Sequence, residues 1–204
     1  MLTWLLLGAN VLAFAYELSL GSDVAGFVRR WGLVPSDVSE SPAVWITLLT
    51  STFVHAGWLH LVSNMLYLGV FGVPVERRVG AGRFAVIYFS SGLAGSLAHL
   101  LAQPTSSEPA VGASGAIAGV IAAHLVLFPN ATLGSLAPVL FLRVVESTPV
   151  VLLFIVWLVA QLLSGLTSLT TSTSIAWWAH LGGFAMGLAL ATMLRGRRLT
   201  RTKY

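Results

Sequence analysis

The stretch "VGASGAIAGV", Val111–Val120, consists almost wholly of small apolar residues and holds a single hydroxyl, at Ser114. Gly112 and Gly115 flank this serine, and Gly119 follows one turn later. Small residues let helix backbones approach closely, so helix packing is one interpretation of the stretch. A serine at such a close approach can also be a nucleophile if a base reaches it. The rest of the sequence decides between these two interpretations.

The composition is that of a membrane protein. Of the 204 residues, 56% are hydrophobic and only 9% are charged, and the mean hydropathy is +0.87. A soluble domain carries roughly 25% charged residues, so this chain lacks the polar surface that water requires. The absence of cysteine excludes disulfides and thiolate metal sites, and we expect neither a metal nor a cofactor. The basic residues lie in short clusters beside apolar runs, which favours membrane topology over nucleic-acid binding.

Six apolar segments approach the length of about 20 residues that a membrane-spanning helix needs. They are approximately Leu2–Leu20, Trp58–Val75, Phe84–Ala102, Gly112–Phe128, Pro149–Leu166 and Ile175–Leu194. We therefore predict an all-α polytopic membrane protein, a bundle of six transmembrane helices forming one domain over residues 1–204. An outer loop is expected at about 21–57, and a basic tail at about 195–204.

The positive charges predict how this bundle is oriented. Only Arg29 and Arg30 fall on one side of the six-segment topology. The other nine of the eleven basic residues fall on the opposite side: Arg77, Arg78, Arg83, Arg143, Arg195, Arg197, Arg198, Arg201 and Lys203. Because basic loops remain in the cytoplasm, we expect both termini to be cytoplasmic and the plasma membrane to be the location. Membrane lipids are the expected partner of the basic tail.

Polar side chains occur where a bilayer makes them costly, and such residues are functional candidates. His60 and Asn64 are four residues apart near the start of the second segment and share a helix face. Ser114 and His180 lie near the starts of the fourth and sixth segments. Since these three segments run in the same direction, all four side chains should lie at one depth, about 5–10 Å below the outer surface at helical rise.

Two pairs of glycines predict which helices meet. Gly115 and Gly119 form one small-xxx-small pair, and Gly183 and Gly187 form another. Such pairs favour a close crossing of the fourth and sixth helices. The crossing would place the Ser114 hydroxyl within reach of His180 as its general base.

A nucleophile also needs donors for the oxyanion that forms during attack. Asn64, His60 and the Ser114 amide can donate, and we place Gly112 in the same group. The amide belongs to the first turn of its helix, where N–H groups lack intrahelical partners. No Asp or Glu occurs in the sixth segment or beside Ser114, so the sequence predicts a Ser-His dyad.

At this point the sequence resembles the rhomboid family of intramembrane serine proteases. The matching motifs, in chain order, are "HAGWLHLVSN" at 55–64, "VERRVGAGRF" at 75–84, "GASG" at 112–115 and "AHLGGFAMG" at 179–187. The resemblance implies that Ser114 is the nucleophile and His180 the base, with His60 and Asn64 around the oxyanion. It also implies cleavage of single-pass transmembrane proteins near the outer end of their helix.

The sequence departs from the family pattern in two places. Many relatives carry an aromatic residue four positions after the serine, stacked on the histidine, where this chain has Ala118. The outer loop of relatives usually has a Trp-Arg pair, whereas here Trp45 is displaced by one position and Thr47 stands where Arg is expected. Neither change removes a reacting group. His55 is a possible accessory residue at the outer boundary.

Other functions remain as alternatives. A serine elbow of the α/β-hydrolase type is disfavoured, because Ala116 replaces its second glycine and alternating strands are missing from the pattern. A transporter would place polar residues through the full depth of the membrane. A catalytically weak or inactive relative that binds membrane client proteins is the third alternative.

Overall fold

The computed structural model describes residues 1–39, 45–132, 148–170 and 175–195. This part of the chain is helical, and in it β-pairing is limited to isolated bridges that join Leu33 to Ala110 and Thr132 to Pro149. The described residues contain six long helices: α1 (Leu2–Ser19), α2 (Trp58–Val79), α3 (Ala81–Ala102), α4 (Ser114–Leu127), α5 (Val150–Ser168) and α6 (Trp177–Arg195). The predicted all-α polytopic fold is thereby confirmed. Arg143 and the basic tail beyond Arg195 lie outside the described residues.

The fourth helix differs from its prediction. Among the described residues, five helices are long and apolar enough to cross a membrane, whereas α4 has only 14 residues. A helix of that length spans about 21 Å, less than the roughly 30 Å hydrocarbon core. Every residue of α4 from Gly115 to His124 is buried, so α4 is enclosed by the other helices. The hydropathy of the sequence could not show this enclosure, because hydropathy does not report which helices pack around a segment.

The outer helices reverse the burial pattern of a soluble protein. On α1, the inward stripe includes Thr3, Asn10 and Glu17, which are spaced seven residues apart and all buried. The opposite face is apolar and exposed, with Leu5 at 70% and Leu12 at 72%. Large exposed apolar surfaces of this kind mark contact with lipid.

Two carboxylates fix the ends of α1. Glu76, near the end of α2, accepts hydrogen bonds from the Leu2 and Thr3 amides at 2.6 and 2.8 Å and from the Thr3 hydroxyl at 2.6 Å. A negative group at a helix N-terminus is favourable because the first amides are unpaired and the helix dipole is positive there. At the other end, Glu17 accepts from the His55 amide at 3.2 Å. These bonds set α1 beside α2.

Helices α4 and α6 cross with their backbones in contact, as the glycine pairs predicted. A Cβ added to Gly183 would overlap the Gly115 carbonyl oxygen, and one added to Gly187 would overlap that of Gly119. Only glycine therefore fits at these two positions of α6. The crossing brings the first turn of α6 beside the first turn of α4.

The segment before α4 holds the start of that helix in place. Leu33 of the outer loop and Ala110 exchange backbone hydrogen bonds of 3.0 and 2.8 Å. The Gly112 amide donates to the Ser51 carbonyl oxygen at 2.8 Å. Gly112 has φ of 114°, a conformation that favours glycine, and this turn lets α4 begin at Ser114.

Candidate active site

Ser114 and His180 are hydrogen-bonded partners. Ser114 is the first residue of α4, and His180 lies in the first turn of α6. The distance between Ser114 Oγ and His180 Nε2 is 2.8 Å, within the range for an O–H group that donates to a ring nitrogen. The glycine crossing makes this distance possible, because bulkier residues would hold the two helices apart.

The other ring nitrogen of His180 faces α5. His180 Nδ1 lies 2.5 Å from the side-chain oxygen of Gln161, and Gln161 is buried, with 6% of its surface exposed. Because this oxygen can only accept, the shared proton belongs to Nδ1. Nε2 is then left with a lone pair that accepts the Ser114 hydroxyl proton, which is the tautomer that a general base requires.

Gln161 was missed by the sequence reasoning, which looked for an Asp or Glu as the third group. The available signal was a side-chain amide in the apolar run "VVLLFIVWLVAQLLSGL" at 150–166. Intramembrane polar residues of this kind are functional candidates. Its partner could not be predicted from the sequence, since the face that α5 turns toward α6 depends on tertiary packing.

The predicted oxyanion residues come together at Gly112. A Cβ at this glycine would lie 2.5 Å from His60 Nε2 and 3.4 Å from Asn64 Nδ2. Asn64 is 5% exposed, and its Nδ2 has no hydrogen-bond partner among the described residues. A buried amide donor without a partner is costly, and a substrate oxygen in the adjoining cavity would satisfy it. Because the Gly112 amide is already bonded to Ser51, what this glycine provides is space and not a donor.

His55 lies beside this group and contacts His60. Its ring centroid is 5.2 Å from that of His60, and its Nδ1 lies 3.3 Å from the Phe53 carbonyl oxygen. Burial and, to a smaller extent, the neighbouring His60 lower the pKa of His55 to about 4. His55 is therefore neutral at physiological pH, which suits a packing role against His60.

A cavity of about 820 Å³ opens over the serine and histidine. Ser114, His180, His60 and Asn64 all line it. The apolar part of its wall is built by residues of α2, α4 and α5: Trp58, Leu59, Ile117, Ala118, Ile121, Phe154 and Trp157. A mostly apolar cavity with a few convergent polar groups is the usual form of a binding site for an organic ligand.

The two departures from the family pattern have structural consequences. Ala118 is buried and leaves the His180 ring without an aromatic neighbour from α4. Two tryptophans flank that ring instead: Trp157 of α5 at 6.1 Å and Trp177 of α6 at 6.2 Å between centroids. Thr47 is buried, whereas Trp45 is half exposed.

The remaining two histidines do not line the large cavity over Ser114 and His180. His99 and His124 are buried on α3 and α4, and the Nδ1 atom of each has no hydrogen-bond partner among the described residues. In the same ranges, His, Cys, Asp and Glu side chains form no group of three or more that could hold a metal ion.

Comparison with known proteins gives a consistent result. A family model described as "Rhomboid domain" matches residues 42–197. Rhomboid-like protein 11, chloroplastic, of Arabidopsis thaliana is 32% identical over 200 residues, which cover 91% of this chain and 66% of that protein. Rhomboid protease GluP of Bacillus subtilis (strain 168) is 36% identical over 124 residues, covering 60% of this chain and 24% of that protein.

A third relative is named as inactive. Inactive rhomboid protein 1 of Drosophila melanogaster is 35% identical over 114 residues, covering 56% of this chain and 8% of that protein. This chain spans less than two thirds of the length of each of these three relatives. The relatives therefore include one named as a protease and one named as inactive.

Proposed function

The chain belongs to the rhomboid family, and we propose that it is an active serine endopeptidase that cleaves transmembrane substrates. The observation that carries the proposal is the 2.8 Å hydrogen bond between Ser114 Oγ and His180 Nε2 at the base of an open cavity. A nucleophile bonded to a neutral imidazole of the correct tautomer is the arrangement that acyl transfer needs.

The first half of the reaction forms an acyl-enzyme. Ser114 Oγ attacks the carbonyl carbon of the scissile peptide bond while its proton moves to His180 Nε2. The oxyanion that results accepts hydrogen bonds from Asn64 Nδ2, His60 and the Ser114 amide. The C–N bond then breaks, and His180 gives the proton to the leaving amine.

The second half regenerates the serine. A water molecule in the cavity gives a proton to His180 Nε2 and attacks the ester carbonyl. The bond to Ser114 Oγ breaks, the oxygen takes the proton back from His180, and the new carboxyl product departs. The same oxyanion donors act in both halves of the reaction.

The position of the site favours membrane-embedded substrates. Ser114 begins a helix that is enclosed by the bundle, and apolar side chains of α2 and α5 form much of the cavity wall. An extended segment from the end of a single-pass transmembrane helix fits such a wall better than a soluble peptide does. Small residues in that segment would weaken its helix and allow it to extend.

The membrane orientation is part of this proposal. With both termini in the cytoplasm, the cavity faces the outside, and water reaches it from there. The natural absence of cysteine allows a direct test with single cysteines at Ser107 and Thr202 and a membrane-impermeant maleimide. We expect labelling of Ser107→Cys in intact cells and of Thr202→Cys only after permeabilisation; the opposite pattern would reverse the orientation.

The activity is tested by cleavage of a reporter single-pass protein in vesicles that contain the purified protein. We expect cleavage by the wild type, and none above background by Ser114→Ala or His180→Ala. The matched control is Ser168→Ala, because Ser168 is a buried serine whose hydroxyl bonds to Gly165 of its own helix at 2.7 Å. Binding of the reporter without Ser114-dependent cleavage would instead favour the client-binding alternative.

A further inference from the structure

We infer that Gln161 is a positioning residue for His180 and forms, with Trp157, a support for the catalytic ring that α5 provides. This inference rests on the proposed function, since it assigns a role within that reaction. Its starting point is the contact between Gln161 Oε1 and His180 Nδ1 at 2.5 Å. Gln161 does not contact the reacting atoms in this arrangement and acts through the ring.

Gln161 belongs to the inward face of α5. The buried residues of this helix are Val150, Phe154, Gln161, Gly165 and Ser168. Their spacing of three, four and seven residues defines one stripe along the helix. The opposite face is exposed, with Val156 at 70% and Leu163 at 59%. Burial of an unpaired amide is costly. The bond to His180 offsets this cost and so explains how a glutamine can occupy the buried face of α5.

The bond selects one tautomer of the histidine. A neutral imidazole without a partner at Nδ1 can carry its proton on either nitrogen, and only the form with the proton on Nδ1 leaves Nε2 free to accept from Ser114. A neutral amide oxygen at Nδ1 fixes this form and the ring orientation together. The same logic explains the second partners of histidines at metal sites.

Trp157 completes the support from the same helix. It lies four residues before Gln161 and therefore on the same face, with its ring tilted by 34° against the imidazole. Because Ala118 presents only a methyl group, α4 supplies no aromatic neighbour for the ring, in line with the departure from the family pattern that the sequence shows at this position. In this chain α5 supplies both the hydrogen-bond partner of Nδ1 and an aromatic neighbour of the histidine ring.

The kinetic test uses three variants in the vesicle cleavage assay. Gln161→Met keeps the length of the side chain but removes the acceptor, and Gln161→Glu keeps an oxygen acceptor. Gln103→Met is the matched control, since the other glutamine of the chain donates to the Ser168 carbonyl at 2.7 Å, away from the site. Thermal unfolding of each variant establishes that it is folded.

We expect Gln161→Met to lower kcat by about 10- to 100-fold with little change in KM, by analogy with the loss seen when the outer partner of a metal-bound histidine is removed. Gln161→Glu should regain much of that loss, and Gln103→Met should match the wild type. A folded Gln161→Met protein with wild-type kcat would overturn the inference. So would a folded Gln161→Glu protein as slow as Gln161→Met, because the acceptor oxygen would then be irrelevant. If Gln161→Glu does not fold, the kcat of Gln161→Met decides.

A second measurement does not depend on activity. Nitrogen NMR of protein labelled with ¹⁵N-histidine reports which ring nitrogen of each histidine carries the proton. The His180 signal is assigned as the one that is absent from the His180→Ala spectrum. We expect His180 to be protonated at Nδ1 in the wild type and to populate both forms in Gln161→Met. A wild-type His180 protonated at Nε2 would overturn the inference by itself. If the wild type gives the expected NMR result but does not cleave the reporter, only the proposed function is contradicted.

Discussion

The crossing of α4 and α6 differs in kind from the walls of the cavity, α2 and α5. At the crossing, Gly183 and Gly187 bring backbone against backbone, and a single methyl group would overlap a carbonyl oxygen of α4. The wall helices α2 and α5 reach the site through side chains, such as Asn64 in the cavity lining and Gln161 behind the His180 ring. The crossing sets the distance between Ser114 and His180, and the walls adjust the ring and meet the substrate. Changes at the crossing should therefore affect folding, whereas changes in the walls should affect rates.

The largest effect is expected at the crossing. Gly183→Val would force α4 and α6 apart, and overpacking of this kind costs about 3 kcal/mol or more when backbone atoms obstruct the new side chain. We expect a large fall in thermal stability and no cleavage of the reporter. The matched control is Gly8→Val on α1, where an added Cβ has no heavy atom within 4 Å. Equal stability of the two variants would show that the crossing is not held by backbone contact.

The next effect belongs to the α2 wall. Asn64→Ala should lower kcat by about 10²-fold, the typical effect of removing one oxyanion donor, with thermal stability nearly unchanged. Asn10→Ala is a suitable control, because Asn10 is a buried asparagine on α1 that bonds to the Leu6 carbonyl at 2.7 Å. Its kcat should remain that of the wild type. An unchanged kcat in folded Asn64→Ala protein would remove the oxyanion role.

A third effect is a dependence of stability on pH. His55 has its pKa lowered from 6.5 to about 4 by burial, so the unfolded chain binds a proton at higher pH than the folded protein does. The contribution of neutral His55 to the free energy of unfolding is complete above pH 6.5 and is lost as the pH falls toward 4. At pH 5 the loss from this group is about 2 kcal/mol. His55→Gln should flatten this part of the pH profile of unfolding. An identical fall in both proteins between pH 7 and pH 5 would contradict the burial of a neutral His55.

The smallest effect is expected from the tryptophan of the α5 wall. Trp157→Leu removes the tilted ring beside His180 but leaves Gln161 in place, so kcat should fall only several-fold, less than the 10²-fold typical of an oxyanion donor. Steady-state cleavage of the reporter measures this, with Trp4→Leu as the control, since Trp4 is exposed on α1 at 59%. A loss as large as that of Gln161→Met would mean that the ring contact, and not the hydrogen bond, orients His180.

Sequence patterns were sufficient for the parts of this structure that depend on spacing. The pairing of Ser114 with His180 followed from two glycine pairs and a shared depth, and the structure places these side chains 2.8 Å apart. The features that were missed depend on how helices rotate against each other. Hydropathy cannot predict which face of α5 packs inward with Gln161, nor the short length of α4 within the bundle. The reason is that the hydropathy of a membrane helix is similar on all of its faces.

The central claim is that Ser114 is activated by His180, and labelling with a fluorophosphonate serine probe tests it most directly. The purified wild type, Ser114→Ala and His180→Ala would be treated in parallel, and mass spectrometry would identify the modified residue. We predict modification of Ser114 in the wild type and none in either variant. Modification of a different serine in the wild type, or equal modification of Ser114 in His180→Ala, would contradict the account.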